Sequence, residues 1–212
     1  MKQKELFNLP NLLSLSRIFF GIAFLVLFFI IISDINQLQR NLILQIIALV
    51  IFLLAIISDG LDGYYARKLN IVTDIGKHLD PLTDSIFFMI VFATFTIIKL
   101  MNPVYLFIIV IRELSMHLII RPLVKSKGSS LPASIYGKLK MFAQCIFSMI
   151  ILIMIIASQI MQLYHINTVL IDKITRITSL ILFSIIVFLS VMSMIIYLVN
   201  LKKILKTANT SK

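Results

Sequence analysis

SDGLDGYYARKLNIVTDIGKHLDPLTDS, from Ser58 to Ser85, is the stretch on which the reading of this chain turns. It holds five of the nine carboxylates, Asp59, Asp62, Asp74, Asp80 and Asp84. Apolar runs of near membrane-spanning length flank it on both sides. A carboxylate at the end of a membrane span is costly to desolvate, so it has a partner and a task.

Outward from this stretch the chain is apolar. Of 212 residues, 60% are hydrophobic and only 14% charged, and the mean hydropathy is +1.05. A soluble domain is nearer half apolar and a quarter charged, so this composition indicates an integral membrane protein. The runs are continuous and rich in Ile, Leu and Phe, without period-two alternation. Only helices or closed barrels cross a bilayer, and this pattern predicts helices of about 20 residues each. The expected fold is all-α, with six transmembrane helices in one domain over 1–212. The spans fall near 12–32, 42–66, 75–98, 104–120, 135–163 and 174–201. Residues 1–11 read as an amphipathic lead-in at the interface, and RPLVKSKGSSLPAS (121–134) reads as a loop. The first apolar segment is too long for a signal peptide and lacks a small-residue cleavage pattern.

The formal net charge is +11. Six spans put both termini on one side, with the 67–77 and 121–140 segments. All 20 basic residues except Arg40, Lys99, Lys173 and Arg176 go with that side. The positive-inside rule makes it cytoplasmic, which puts the carboxylate stretch at the cytoplasmic surface of the cell membrane. Basic residues at span ends, without interleaved aromatics, carry no nucleic-acid signal. Cys145 is the sole cysteine and cannot form an intramolecular disulfide.

Asp59, Asp62 and Ala66 are spaced i, i+3, i+7, and Gly76, Asp80 and Asp84 are spaced i, i+4, i+8, so each set shares a helix face. An antiparallel hairpin of spans 2 and 3 would let the faces meet. Four carboxylates that close require cations, and Mg²⁺ or Mn²⁺ suit an all-oxygen set. Such a pair of ions is suited to phosphoryl chemistry on a diphosphate. Gly63 and Ala66 leave room for a nucleotide against the helix, and Arg67 is placed for a phosphate. Asp74 lies outside both faces and reads as a loop or cap residue.

These residues carry a resemblance. D-x2-D-G-x2-A-R-x8-G-x3-D-x3-D, met at Asp59, Asp62, Gly63, Ala66, Arg67, Gly76, Asp80 and Asp84, resembles the signature of the CDP-alcohol phosphatidyltransferases. Asn8-Leu9-Pro10-Asn11 with Ser14 and Arg17, Arg112-Glu113, and Gly137-Lys138-Leu139-Lys140 with Gln144 look like the bacterial phosphatidylglycerophosphate synthases of that family. The resemblance implies a homodimeric six-helix membrane enzyme with two divalent ions. It implies Asp59, Asp62 and Asp80 as metal ligands, and Asp84 as both ligand and general base. Asn11, Gly63, Ala66, Arg67, Thr73 and Gly76 would contact CDP-diacylglycerol. The acceptor hydroxyl would attack the phosphatidyl phosphorus and expel CMP.

Glycerol 3-phosphate carries a dianionic phosphate and needs a basic pocket. Arg112, Arg121, Lys138 and Lys140, with Lys77, are the residues expected to form it. That set favours glycerol 3-phosphate over inositol phosphate, serine, phosphatidylglycerol or a CDP-choline reaction. A non-catalytic cation transporter would place acids near mid-membrane on several spans, and Glu113 alone fits. One departure stands out: the glycerophosphate enzymes usually read Ala-Asp-Lys around the last aspartate, and this chain reads Thr83-Asp84-Ser85. Arg112–Glu113 reads equally as an ion pair and as a substrate contact. Arg17 reads as snorkelling to headgroups, and the three histidines as packing or surface residues.

Overall fold

The computed structural model describes residues 9–68, 76–126 and 135–210, with side chains described over 12–61, 79–126 and 135–202 and at Ile204. Most of the interfacial lead-in, Thr73, Asp74 and the rest of the 121–134 segment beyond Ser126 lie outside the described residues.

The helices are α1 (Leu9–Ser33), α2 (Leu38–Lys68), α3 (Gly76–Ile97), α4 (Pro103–Leu114), a π turn (Ser115–Ile120), α5 (Arg121–Ser126), α6 (Ile135–Leu163) and α7 (Val169–Thr210). Among the described residues, six spans are long and apolar enough to cross a membrane, and α4, the π turn and α5 together make the fourth. Among the described residues there is no strand. The all-α, six-span architecture is the one expected. The fourth span is longer than expected, because residues 121–126 continue it as helix where a loop was anticipated.

Short connections hold consecutive spans antiparallel. Asn41 Nδ2 donates to the carbonyls of Asp34 and Ile35 at 2.9 and 3.3 Å, bracing the α1–α2 turn. Lys99 adopts φ 62°, and Leu100 N–H donates back to the Phe95 carbonyl at 2.9 Å, a left-handed cap that ends α3. Asn102 Oδ1 then accepts from Val104 N–H at 2.9 Å, and Pro103 starts α4, where its missing donor costs nothing. His165 (φ 57°) repeats the left-handed cap after α6.

Helix α1 packs on α2 and α3, α6 packs on α7 and α2, and α4 packs on α7. A Cβ at Gly21 would lie 3.2 Å from Ile90 Cδ1, so the glycine lets α1 come close to α3. Lipid tails offer no hydrophobic drive for helix association, so shape and ring packing hold the bundle. Phe24, Phe52, Phe87, Phe92, Phe95 and Phe183 are fully buried. Phe52 stacks on Phe87 with centroids 5.8 Å apart, and Phe92 meets Phe183 edge-on at 5.6 Å. Phe19, Phe107 and Phe188 are exposed along the apolar spans. This aromatic wedge fixes the relative height of α1, α2, α3 and α7, and so of the polar residues beyond it.

Candidate active site

Beyond the wedge, the starts of α1, α3 and α6 and the ends of α2, α5 and α7 meet at one end of the bundle. Asp59 comes from α2, and Asp80 and Asp84 from successive turns of α3. The α1 helix supplies donors to all three. Arg17 is 1% exposed, and its Nη1 donates to Asp59 Oδ1 at 2.6 Å and pairs with Asp84 Oδ1. One turn earlier, the fully buried Ser14 donates its Oγ to Asp80 Oδ1 at 2.5 Å. Ser58 Oγ donates to the Leu13 carbonyl at 3.1 Å, fastening α2 to the same turn of α1.

Arg17 therefore does not snorkel to headgroups. It is a buried counter-charge shared by two spans, and sequence reasoning missed it. The signal was present: an arginine inside an apolar span needs a carboxylate, and Ser14 and Arg17 share one face at i, i+3.

Asp62, Gly63, Ala66 and Arg67 occupy the last turns of α2, and Gly76 and Lys77 the start of α3. Their side chains lie outside the described residues, as does that of Asn11 in the first turn of α1.

Among the described residues no cluster of three or more His, Cys, Asp or Glu groups is close enough to hold a metal. The donor chemistry nevertheless fits a hard divalent cation. Asp59 and Asp84, from different helices, reach the same guanidinium nitrogen, so their negative charges converge, and every donor is a carboxylate oxygen, the type that Mg²⁺ or Mn²⁺ would take. Asp59 is 45% exposed and Asp84 15%, so the pair runs from the open surface into the protein.

Asp80 and Asp84 open into a cavity of about 270 Å³. Its far wall is basic: Arg112 from α4, Arg121 from α5, and Lys138 and Lys140 from α6. Four of the five residues expected to bind the acceptor phosphate thus lie around one cavity with the proposed base, and Lys77 is the fifth. Two of the four are partly neutralised. Glu113, 3% exposed, accepts from Arg112 Nη1 at 2.9 Å and pairs with Lys140 Nζ. Arg112 Nη2 also donates to Ser193 Oγ on α7 at 2.6 Å. Arg112–Glu113 is an ion pair within the cavity wall, as one of its two readings expected. A lone buried carboxylate would be heavily penalised, and three donors make this one tenable.

The third donor is Ser85, whose Oγ lies 2.8 Å from Glu113 Oε2 and 2.9 Å from His117 Nε2. His117 Nδ1 lies 3.4 Å from Arg121 Nη1. The residue that departs from the usual lysine is thus wired to the basic wall, and His117 is more than packing.

Carboxylates facing a basic cavity at one end of a six-span helical bundle define a polytopic membrane protein with a charged polar site. The chain belongs to the CDP-alcohol phosphatidyltransferase family, whose model matches residues 7–201. It is 33% identical over 178 residues to the CDP-diacylglycerol–glycerol-3-phosphate 3-phosphatidyltransferase of Aquifex aeolicus, covering 82% of this chain and 89% of that one. The Bacillus subtilis enzyme of the same name is 33% identical over 150 residues, covering 66% and 74%. That of Rickettsia typhi is 35% identical over 149 residues, covering 69% and 76%.

Proposed function

We propose that the protein transfers the phosphatidyl group of CDP-diacylglycerol to glycerol 3-phosphate, giving phosphatidylglycerophosphate and CMP. The observation that carries this reading is that Asp80 and Asp84 share one cavity with Arg112, Arg121, Lys138 and Lys140. The names of the relatives support it.

Asp84 is the general base. It is the more enclosed of the bridged pair and stands at the cavity wall, where it takes the proton from the acceptor's primary hydroxyl. That oxygen attacks the phosphatidyl phosphorus, and the bond to the CMP oxygen breaks. Two divalent cations, Mg²⁺ or Mn²⁺, held by Asp59, Asp62, Asp80 and Asp84, would neutralise charge on the diphosphate and the leaving oxygen. Ser14 orients Asp80, and Arg17 offsets the charge of Asp59 and Asp84. Asn11, Gly63, Ala66, Arg67, Thr73 and Gly76 bind the CDP end. Lys77, Arg112, Arg121, Lys138 and Lys140 bind the acceptor phosphate as hydrogen-bonding cations. Residues 1–212 work as one membrane domain within a homodimer in the cell membrane. The active end faces the cytoplasm, in keeping with the bias of basic residues.

The test is CMP release by the purified protein in mixed micelles, with Mg²⁺ or Mn²⁺ and a panel of acceptors. Turnover dependent on glycerol 3-phosphate supports the assignment. Preference for serine, inositol phosphate or phosphatidylglycerol overturns it.

A further inference from the structure

Arg121 comes nine residues after Arg112. An α-helix turns about 100° per residue, so unbroken helix would set the two on opposite faces, roughly 180° apart. Both nevertheless line one cavity. The π turn between them accounts for this. Arg121 N–H donates to the Met116 carbonyl, five residues back, and i→i+5 bonding takes up one extra residue and retards the phase by about 100°. Pro122 gives a local cause. Its ring would collide with the Leu118 carbonyl in regular helix, and it has no N–H to bond there. Glu113, His117 and Arg121, at i, i+4 and i+8, form a row beside α3, and the π turn brings Arg121 round toward the side of Arg112.

The hydrogen bonds along that row have a direction. A guanidinium only donates, so His117 Nδ1 accepts from Arg121. Neutral His117 then carries its hydrogen on Nε2 and donates to Ser85 Oγ, whose single hydrogen is shared between Glu113 Oε2 and the Pro81 carbonyl. Arg112 and Lys140 are both engaged by Glu113. Among the described residues, Arg121 is the cavity arginine with no carboxylate in ion-pair contact, and the His117 ring lies against its guanidinium.

We propose that His117, presented by the π turn, is a positioning residue that aims Arg121 at the acceptor's phosphate and ties it through Ser85 to the helix turn bearing Asp84. Ser85 and His117 together do in this chain what a basic side chain next to the last aspartate would otherwise do: they hold a positive group beside the base. The proposal rests on a phosphorylated acceptor as read above, and it makes the Ser85 departure part of acceptor recognition.

The experiment is steady-state kinetics on the full-length protein in mixed micelles, varying glycerol 3-phosphate and CDP-diacylglycerol separately. His117→Ala raises the KM for glycerol 3-phosphate about tenfold, as expected for a loosened charge-assisted contact, and leaves the KM for CDP-diacylglycerol within about twofold. His117→Asn, whose Oδ1 can replace Nδ1 as acceptor, recovers most of the loss. The His117→Ala/Arg121→Ala double variant is no worse than Arg121→Ala alone, because both act through one contact. An unchanged acceptor KM, a parallel rise in both KM values, or additive effects in the double variant overturns the proposal. Should His117→Ala fail to fold, the Asn variant and Arg121→Ala carry the comparison. A wild-type protein that turns over only unphosphorylated acceptors fails the acceptor reading itself.

Discussion

Arg17 Nη1 donates to Asp59 Oδ1 across 2.6 Å and also pairs with Asp84, so an arginine of the first span joins carboxylates of the second and third. The guanidinium stands where divalent cations would otherwise offset the same charges, and the two compete for the same oxygens. Arg17→Ala is expected to tighten Mn²⁺ binding by roughly fivefold or more, a coupling of ordinary size for linked sites. Titration of the substrate-free protein by calorimetry reads this without any turnover. Weaker Mn²⁺ binding would show instead that Arg17 assembles the carboxylates.

Asp84 is assigned the proton transfer. Asp84→Asn keeps the shape and a hydrogen-bonding oxygen but loses the base, and CMP release is expected to fall by about 10³-fold. Thermal unfolding in detergent should shift by no more than a few degrees. Substantial residual turnover with unchanged folding removes Asp84 from that role.

The placing of Asp80 and Asp84 on successive turns was legible because helical periodicity survives in a membrane: i, i+4 spacing sets them one turn apart whatever surrounds them. The spans were legible for the same local reason, since length and hydropathy suffice to identify them. What failed was non-local or broke the period. Arg17 lies 42 residues from Asp59, and no local pattern shows which carboxylate an arginine will meet. The 121–134 segment looked like a loop because of Pro122 and its polar neighbours, yet the π turn lets the helix run to Ser126. Arg121 was expected at the basic pocket and lines the cavity, but as part of a continuing helix rather than as the start of a loop.

Lys138 and Lys140 stand two residues apart and should behave differently. Lys138 is exposed at the cavity rim. Lys138→Ala is expected to raise the KM for glycerol 3-phosphate several-fold, on the order of one charge-assisted hydrogen bond, with stability unchanged. Lys140 is buried against Glu113, so Lys140→Ala leaves that buried carboxylate with one of its two cations and lowers the unfolding temperature. Equal behaviour of the two variants in both assays would contradict this division.

Glu113 holds Arg112, Lys140 and Ser85 in a buried ion-pair network. Removing one partner of such a network is expected to cost about 3–5 kcal/mol, because the remaining charges stay buried. Glu113→Gln should therefore lower stability markedly in detergent unfolding. Adding Lys140→Met should restore part of it, since an unpaired cation is replaced by an apolar side chain of similar length. A double variant less stable than Glu113→Gln would mean that Lys140 is held by something other than Glu113.

The π turn gives a register test that no side-chain substitution offers. Leu118 is 70% exposed and touches little. Deleting it in a Pro122→Ala background removes both the extra residue of the turn and the ring that opposes regular helix, so the segment becomes regular helix and Arg121 keeps the phase it now has. The deletion is expected to hold the KM for glycerol 3-phosphate within a few-fold of wild type. An alanine inserted after Leu118 adds a further ~100° and carries Arg121 away from the cavity. The acceptor KM should then rise at least as far as in Arg121→Ala, with the KM for CDP-diacylglycerol little changed. If deletion and insertion damage acceptor binding equally, the turn serves the packing of the fourth span rather than the aim of Arg121.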